Sequence, residues 1–124
     1  MTGYSVKILY CSKELTARGR VAIKDTTNAI SLDEATQASN VTIDIDYYAK
    51  LAVHNEHSED KDYEKYIIVA KDGAKYVTGS TSFLTAMEEI VDEMTDSGED
   101  FQIVVYRMPS KNYKGKEFLT CSIV

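Results

Sequence analysis

The most constraining feature of the chain is an alternation of apolar and polar residues that runs from Val41 to His54. The odd positions are apolar or aromatic throughout, whereas the even positions include Thr42, Asp44 and Asp46. A period of two is that of a β-strand with one buried face and one solvated face. Because the run is longer than a usual strand, it predicts a bent or bulged strand that serves two sides of a barrel.

The residues that follow predict a β-hairpin. The polar run from Asn55 to Asp62 predicts a loop, and residues 63–70 and 75–78 have the composition of strands. Asp72 and Gly73 lie between these strands, and Asp-Gly is a typical turn of a tight hairpin.

An amphipathic helix and a second hairpin are predicted next. Glycine, serine and threonine at residues 79–82 offer N-caps, and Gly98 suits a left-handed C-cap. Between them, one apolar stripe recurs at helical spacing: Phe83, Leu84, Met87, Ile90, Val91 and Met94. Residues 101–108 and 118–124 then form two strands around a loop at residues 109–116.

The first forty residues give weaker signals. Apolar residues alternate with polar ones from Tyr4 to Tyr10 and predict a strand. A basic connection containing Arg18 leads to a second short apolar run at residues 21–23. Residues 25–40 have no clear period, and they fit a loop and a single helical turn equally well.

The predicted order of elements from residue 41 onward is β–β–β–α–β–β. This is the order of the OB-fold, a five-stranded barrel with its helix between strands three and four. The sequence therefore predicts a mainly β, α+β protein with an OB-like core over residues 41–124 and an N-terminal strand extension over residues 1–40. At 124 residues we expect a single domain over residues 1–124.

The net charge of −6 conceals two basic segments around an acidic middle. Residues 1–24 and residues 107–116 each carry +4, whereas residues 25–106 carry −13. Binding partners must therefore be judged for each segment rather than from the total charge.

The loop between the last two strands is a candidate nucleic-acid contact. It and its flanks hold four cations and one tyrosine and no acid: Arg107, Lys111, Tyr113, Lys114 and Lys116. In an OB barrel this loop joins strands four and five and is one of two that contact oligonucleotides. Cations at this density follow a phosphate backbone, and tyrosine offers a face for base stacking. A solvated hairpin tip fits the sequence equally well.

The tyrosines are a second candidate feature, since the chain has nine of them and no tryptophan. Tyr48, Tyr66, Tyr76 and Tyr106 lie on predicted strands, and the alternation places Tyr48 and Tyr106 on the less apolar faces. Exposed tyrosines suit base stacking. For any single one, however, the high β-propensity of tyrosine is the more economical explanation.

The acidic segments favour a different kind of partner. Acids cover the outer face of the predicted helix: Glu88, Glu89, Asp92, Glu93 and Asp96. The loop at residues 55–62 is also acidic. Both surfaces repel nucleic acid, and they serve either solubility or docking of a basic partner.

No metal, cofactor or catalytic site is predicted. His54 and His57 lie near Glu56 and Glu59, but two histidines in a loop fix no coordination geometry. No glycine-rich phosphate loop and no activated nucleophile is recognisable. We therefore expect a protein that is not an enzyme and that binds neither a cofactor nor a small-molecule substrate.

Compartment signals are few. Cys11 and Cys121 lie in predicted strands and are expected to be reduced thiols of a cytosolic protein. Apolar runs such as residues 67–70 are too short to cross a bilayer, so no membrane association is expected. The first residues lack the pattern of a secretory signal.

The segment YIIVAKDGAKYVTGSTSFLTAMEEIVDEM, followed by FQIVVYRMPSKNYKGKEFLTCSIV, resembles the phage-encoded single-stranded DNA-binding proteins. These are small replication proteins of tailed phages that infect Gram-positive bacteria. The similar features are a DG hairpin followed by Tyr76 and a Thr/Gly/Ser tract, the amphipathic helix, and a basic loop ending in Gly115 and Lys116. The resemblance covers about residues 41–124.

The resemblance implies that the protein coats displaced single strands in phage DNA replication, in the host cytoplasm, without sequence preference or an enzymatic step. The acidic loop at residues 55–62 requires a DNA groove confined to one side. The residues expected to contact DNA are Arg18, Arg20, Tyr48, Lys50, Tyr76, Tyr106, Arg107, Lys111, Tyr113, Lys114 and Lys116. The acidic helix face is the expected docking site for replication proteins.

The alternative is an acidic protein-binding module, such as a phage-encoded inhibitor of a host protein. Such a module would use residues 25–106 to occupy a basic host surface by charge complementarity.

Overall fold

Eight strands and three helices form within residues 4–57, 59, 61–110 and 115–124, the part of the chain that the computed structural model describes. The strands are β1 (Tyr4–Cys11), β2 (Ile30–Ser31), β3 (Val41–Ile43), β4 (Ile45–Asn55), β5 (Asp62–Ala70), β6 (Lys75–Thr78), β7 (Ile103–Pro109) and β8 (Glu117–Ile123). The helices are α1 (Ala17–Lys24), α2 (Leu32–Ala38) and α3 (Thr81–Ser97).

The chain folds as two compact units. The first contains Met1–Ile30 and Asp46–Gly79, and the second contains Ser31–Ile45 and Ser80–Val124. Strands β1, β4, β5, β6 and β2 form a five-stranded sheet in that order, and β3, β7 and β8 form a three-stranded sheet. The single domain over residues 1–124 stays a prediction.

The predicted alternating strand is interrupted at Asp44. Its first part, β3, pairs with β7, and its second part, β4, pairs with β1. The alternation persists on both sides of the break, with Ile43 and Ile45 both buried. The expected bend is thus present, but it moves the chain from one sheet to the other.

This break corrects the predicted barrel. The described residues form two sheets where one five-stranded barrel was expected, because the two parts of the long strand pair with different neighbours. They also contain three helices where one was expected. The broader class, a mainly β protein with helices, fits the structure.

The N-terminal region accounts for the two additional helices. Residues 21–23, the second short apolar run of the expected N-terminal strand extension, lie in α1, because the Thr16 side chain accepts a hydrogen bond from the Gly19 backbone N–H (3.1 Å) and starts a helix. Ser31 caps α2 in the same way by accepting from the Glu34 N–H.

The first unit packs α1 against its sheet. Ile23, the buried residue of the helix, contacts Ala49, Leu51, Ile67 and Val69 of the sheet. Partly buried apolar side chains surround this core: Val6, Ile8, Cys11, Leu15, Tyr47 and Val77. The Nζ of Lys75 secures the end of α1 by donating hydrogen bonds to the carbonyl oxygens of Ala22 (2.6 Å) and Asp25 (3.2 Å).

The second unit confirms the predicted helix and second hairpin. Helix α3 begins at the N-cap Ser80 and ends at Gly98, whose φ of 73° lies in the left-handed region. It buries Phe83, Leu84 and Met87. Near its start, the Ser82 hydroxyl donates a hydrogen bond to the Leu119 carbonyl of β8 (2.8 Å).

None of the helices in the described ranges is long and apolar enough to cross a membrane.

Candidate nucleic-acid interface

The hairpin of β7 and β8 carries the candidate basic loop. Its strands are antiparallel and paired from Ile103–Ile123 to Pro109–Glu117, and the Ser110 N–H extends the pairing by donating to the Lys116 carbonyl (2.8 Å). Lys116 is exposed. Three predicted contact residues lie outside the described residues: Lys111, Tyr113 and Lys114.

The register of this sheet defines an outer face and a buried face. Residues directly opposite one another on paired strands share a face. The buried face carries Ile43, Ile103, Val105, Leu119 and Cys121. The outer face carries Thr42, Val104, Tyr106, Met108, Phe118, Thr120 and Ser122.

Tyr106 is a fixed member of the outer face. It is half-buried, and its hydroxyl forms a 2.6 Å hydrogen bond with the Ser122 hydroxyl of the neighbouring strand. The bond holds the phenol ring along the sheet, so Tyr106 adds a rigid aromatic surface to this face.

Arg107 lies on the opposite face of β7 from Tyr106 and forms hydrogen bonds with residues of α2. Its Nε donates a hydrogen bond to the Thr36 hydroxyl (3.1 Å), and its NH2 group donates to the Asp33 carbonyl. Thr36 is itself buried and donates to the Leu32 carbonyl (2.7 Å). Arg107 therefore joins β7 to α2, a structural role that the sequence did not indicate.

Two residues of the outer face were missed by the sequence reasoning. Met108 and Phe118 are directly opposite each other, and both are exposed, at 41% and 37%. The signal was available, because Met108 continues the alternation of Val104 and Tyr106 by one further step.

The expected exposure of Tyr48 is wrong, because the side chain is only 3% exposed. Its strand is interior in the five-stranded sheet, and its backbone N–H donates to the Ser12 hydroxyl (3.0 Å). The alternation places Tyr48 on the solvated face of β4, but that face is covered at this position. A ring buried to this extent offers no face to a base.

The exposed aromatic residue near Tyr48 is Tyr10, which is 48% exposed at the edge strand β1. The two rings have centroids 5.7 Å apart. Lys50, opposite Tyr10 in the register, places its Nζ 5.6 Å from the Tyr10 ring centroid, within cation–π range. Lys50 is thus beside an exposed aromatic ring that was not among the predicted contacts.

The remaining predicted residues are spread over the first unit. Arg18 and Arg20 are exposed on α1, and Arg20 donates a hydrogen bond to the Leu15 carbonyl (3.0 Å). Tyr76 is half-buried on β6, opposite Ile68. Lys75, which was not predicted, is the cation that anchors α1.

The acidic loop before β5 is organised around His54. The Nδ1 of His54 lies 2.7 Å from an Asp62 carboxylate oxygen, and its Nε2 lies 2.6 Å from a Glu56 carboxylate oxygen. These hydrogen bonds, with that to Asp62 the stronger cause, raise the pKa of His54 above its ordinary 6.5. Two acids of this segment, Glu56 and Asp62, are therefore paired with a histidine of the chain itself.

Neither cysteine forms a disulfide in the structure: Cys11 is half-buried and Cys121 is buried. Burial raises the pKa of the Cys121 thiol to about 11, so it is a poor nucleophile at neutral pH. Within the described ranges, no group of three or more His, Cys, Asp or Glu side chains is arranged to hold a metal ion.

A comparison with protein families identifies the chain. Residues 15–124 match the model of the family described as Phage Single-stranded DNA-binding protein, that of phi29 phage. The match spans most of the chain, and the protein belongs to this family. The resemblance is thereby confirmed, and single-stranded DNA is the partner that the family indicates. A search of curated proteins found no match, and neither did a search of solved structures.

Proposed function

We propose that this protein coats single-stranded DNA during phage DNA replication, without sequence preference and without an enzymatic step. Family membership supports the class of ligand. The observation that supports a location is the β7–β8 hairpin, where Tyr106 is fixed on one face of the sheet and the connecting segment, residues 110–116, carries +3.

The proposed contacts combine phosphate neutralisation with stacking. Lys116 and the cations at positions 111 and 114 hold the backbone, and tyrosine rings take the bases. Both contacts tolerate any sequence, since every nucleotide has a phosphate and a base face. Arg18, Arg20 and Lys50 are proposed as additional cationic contacts and Tyr76 as an additional stacking contact, in the host cytoplasm where the DNA is replicated.

We propose a secondary role for the acidic surfaces. The outer face of α3 is proposed to keep the protein soluble and to dock replication proteins. The alternative of an acidic inhibitor of a host protein is not favoured by the family to which the chain belongs.

Titration of the tyrosine fluorescence tests the proposal. No tryptophan obscures the nine tyrosines. With oligo-dT we expect quenching that saturates and weakens as salt rises, since bound phosphates release counterions. Absence of quenching at low salt, or equal affinity for duplex DNA of the same length, would overturn the proposal.

A matched pair of triple variants tests the basic loop. Changing Lys111, Lys114 and Lys116 to Gln should weaken binding and reduce the salt slope by about 0.7 for each phosphate that the loop no longer neutralises. The control changes Lys61, Lys65 and Lys71 to Gln, which removes the same charge from the first unit. Equal slopes for the two variants would show that the loop is only a solvated hairpin tip.

A further inference from the structure

We propose that the outer face of the three-stranded sheet is a base-stacking platform on which Phe118 and Met108 contact the unpaired bases. The inference rests on the proposed function and assigns to it two residues that were not among the predicted contacts.

The platform is defined by strand register and exposure. Met108 and Phe118 are directly opposite, so their Cβ atoms lie about 5 Å apart and their side chains share a face. Both remain exposed, whereas Val105 and Leu119 on the other face of the same strands are buried. The hairpin thus presents a side-by-side apolar pair to solvent.

The platform is also rigid. Tyr106 is two residues before Met108 on the same strand and the same face, and its hydroxyl is bonded to that of Ser122. The aromatic and thioether surfaces therefore form a row along one hairpin whose backbone pairing continues to Ser110 and Lys116. A preformed surface loses little conformational freedom on binding.

Charge complementarity favours single-stranded DNA as the ligand of this platform. The segment that joins the two strands, residues 110–116, carries +3 and contains no acid. The described lysine of this segment, the exposed Lys116, is two residues before Phe118 in the chain, so a strand whose bases lie on Phe118 can place a phosphate at this cation. A second copy of the chain fits less well, because a two-fold interface centred on Phe118 and Met108 would bring two like-charged Lys116 side chains near each other.

Substitution of Phe118 separates stacking from charge. In anisotropy titrations with labelled oligo-dT, Phe118→Leu should bind about tenfold more weakly, because the stacking ring is absent. Its salt slope should be unchanged, because the number of neutralised phosphates stays the same. Phe118→Tyr should bind like the original protein. The matched control is Leu9→Ala, which alters an exposed apolar residue of the first unit and should leave affinity unchanged.

Photocrosslinking to the unmodified protein gives a second, independent measurement. Oligonucleotides containing 5-iodouracil should crosslink to Phe118 in the tryptic peptide of residues 117–124, and this readout holds even if a variant fails to fold. Crosslinks confined to other peptides, together with unchanged binding by Phe118→Leu, would overturn the platform while the proposed function stands.

The remaining outcomes are equally distinguishable. Absence of oligo-dT binding by the unmodified protein would overturn both proposals. A change in the sedimentation of the free Phe118→Leu protein, with no change in DNA affinity, would assign the pair to self-association and overturn the platform.

Discussion

At the scale of single residues, the fold changes the ionisation of His54 through its two carboxylate neighbours. Its two ring nitrogens face Asp62 and Glu56, and these carboxylates raise its pKa above 6.5. A raised pKa in the folded state means that the folded protein binds this proton more tightly than the unfolded chain does.

The pH dependence follows from the direction of that shift. The stabilisation from His54 should be fully present below pH 6.5 and should be lost as the pH rises through the raised pKa. In an NMR titration, Asp62→Asn should move the His54 midpoint back toward 6.5. Glu59→Gln, a change of another acid in the same loop, is the control and should leave the midpoint in place. A midpoint unaffected by Asp62→Asn would contradict the pairing.

Arg107 shows how one side chain serves two elements. Its guanidinium reaches the Thr36 hydroxyl and the Asp33 carbonyl together, a geometry that the single ammonium of lysine does not reproduce. We expect Arg107→Lys to lower the free energy of unfolding by about 1–3 kcal/mol, as for hydrogen bonds from a charged group. Urea denaturation measures this loss, and Arg18→Lys on the exposed face of α1 should change stability little. Similar values for the two variants would mean that the bridge to α2 contributes nothing.

At the scale of elements, α3 is defined by its two ends. The Ser80 hydroxyl accepts a hydrogen bond from the Phe83 N–H (3.2 Å), and the Gly98 N–H donates to the Met94 carbonyl (3.0 Å). These caps compensate for an unfavourable charge pattern, since the helix has no base in its last turn and carries acids four residues apart.

The C-cap of α3, Gly98, leads to a prediction about the stability of the protein. Gly98→Ala should cost about 1 kcal/mol, because a φ of 73° is strained for any residue with a Cβ even where space is open. Gly79→Ala is the control: its φ is outside the left-handed region, and its new Cβ would meet the Glu64 carbonyl at an ordinary 3.7 Å. The urea midpoints of the two variants measure this difference in stability. Equal midpoints would contradict a stabilising role of Gly98 as the C-cap.

At the scale of the whole molecule, the chain passes between the two units three times. The chain leaves the first unit after Ile30, returns at Asp46, and leaves again after Gly79. Neither unit is therefore a continuous piece of chain, and the two segments of each unit are joined through a segment of the other. We propose on this ground that residues 1–124 form a single cooperative domain.

Cooperativity is measurable with two probes. Tyrosine fluorescence and far-ultraviolet circular dichroism should report the same urea midpoint and a single transition. Two separated transitions would show that the units unfold independently and would contradict the single domain.

Local pattern by itself determined the elements whose signal lies within a short stretch of chain. The turn at Asp72 and Gly73 and the apolar stripe and caps of α3 appear in the structure as predicted. The alternation from residue 41 appears in β3 and β4 on either side of Asp44, with Tyr48 as its exception. Each depends on backbone conformation and side-chain period, which neighbouring residues specify on their own.

Tertiary structure decided which surfaces are covered and what each cation does. The burial of Tyr48, the change of sheet at Asp44 and the attachment of Arg107 to α2 all depend on partners far away in sequence. A period of two predicts that the faces of a strand differ, but only the strands and helices packed around it decide which face is exposed. For the same reason, Phe118 and Met108 became candidates for DNA contact only once the register had placed them together on an exposed face.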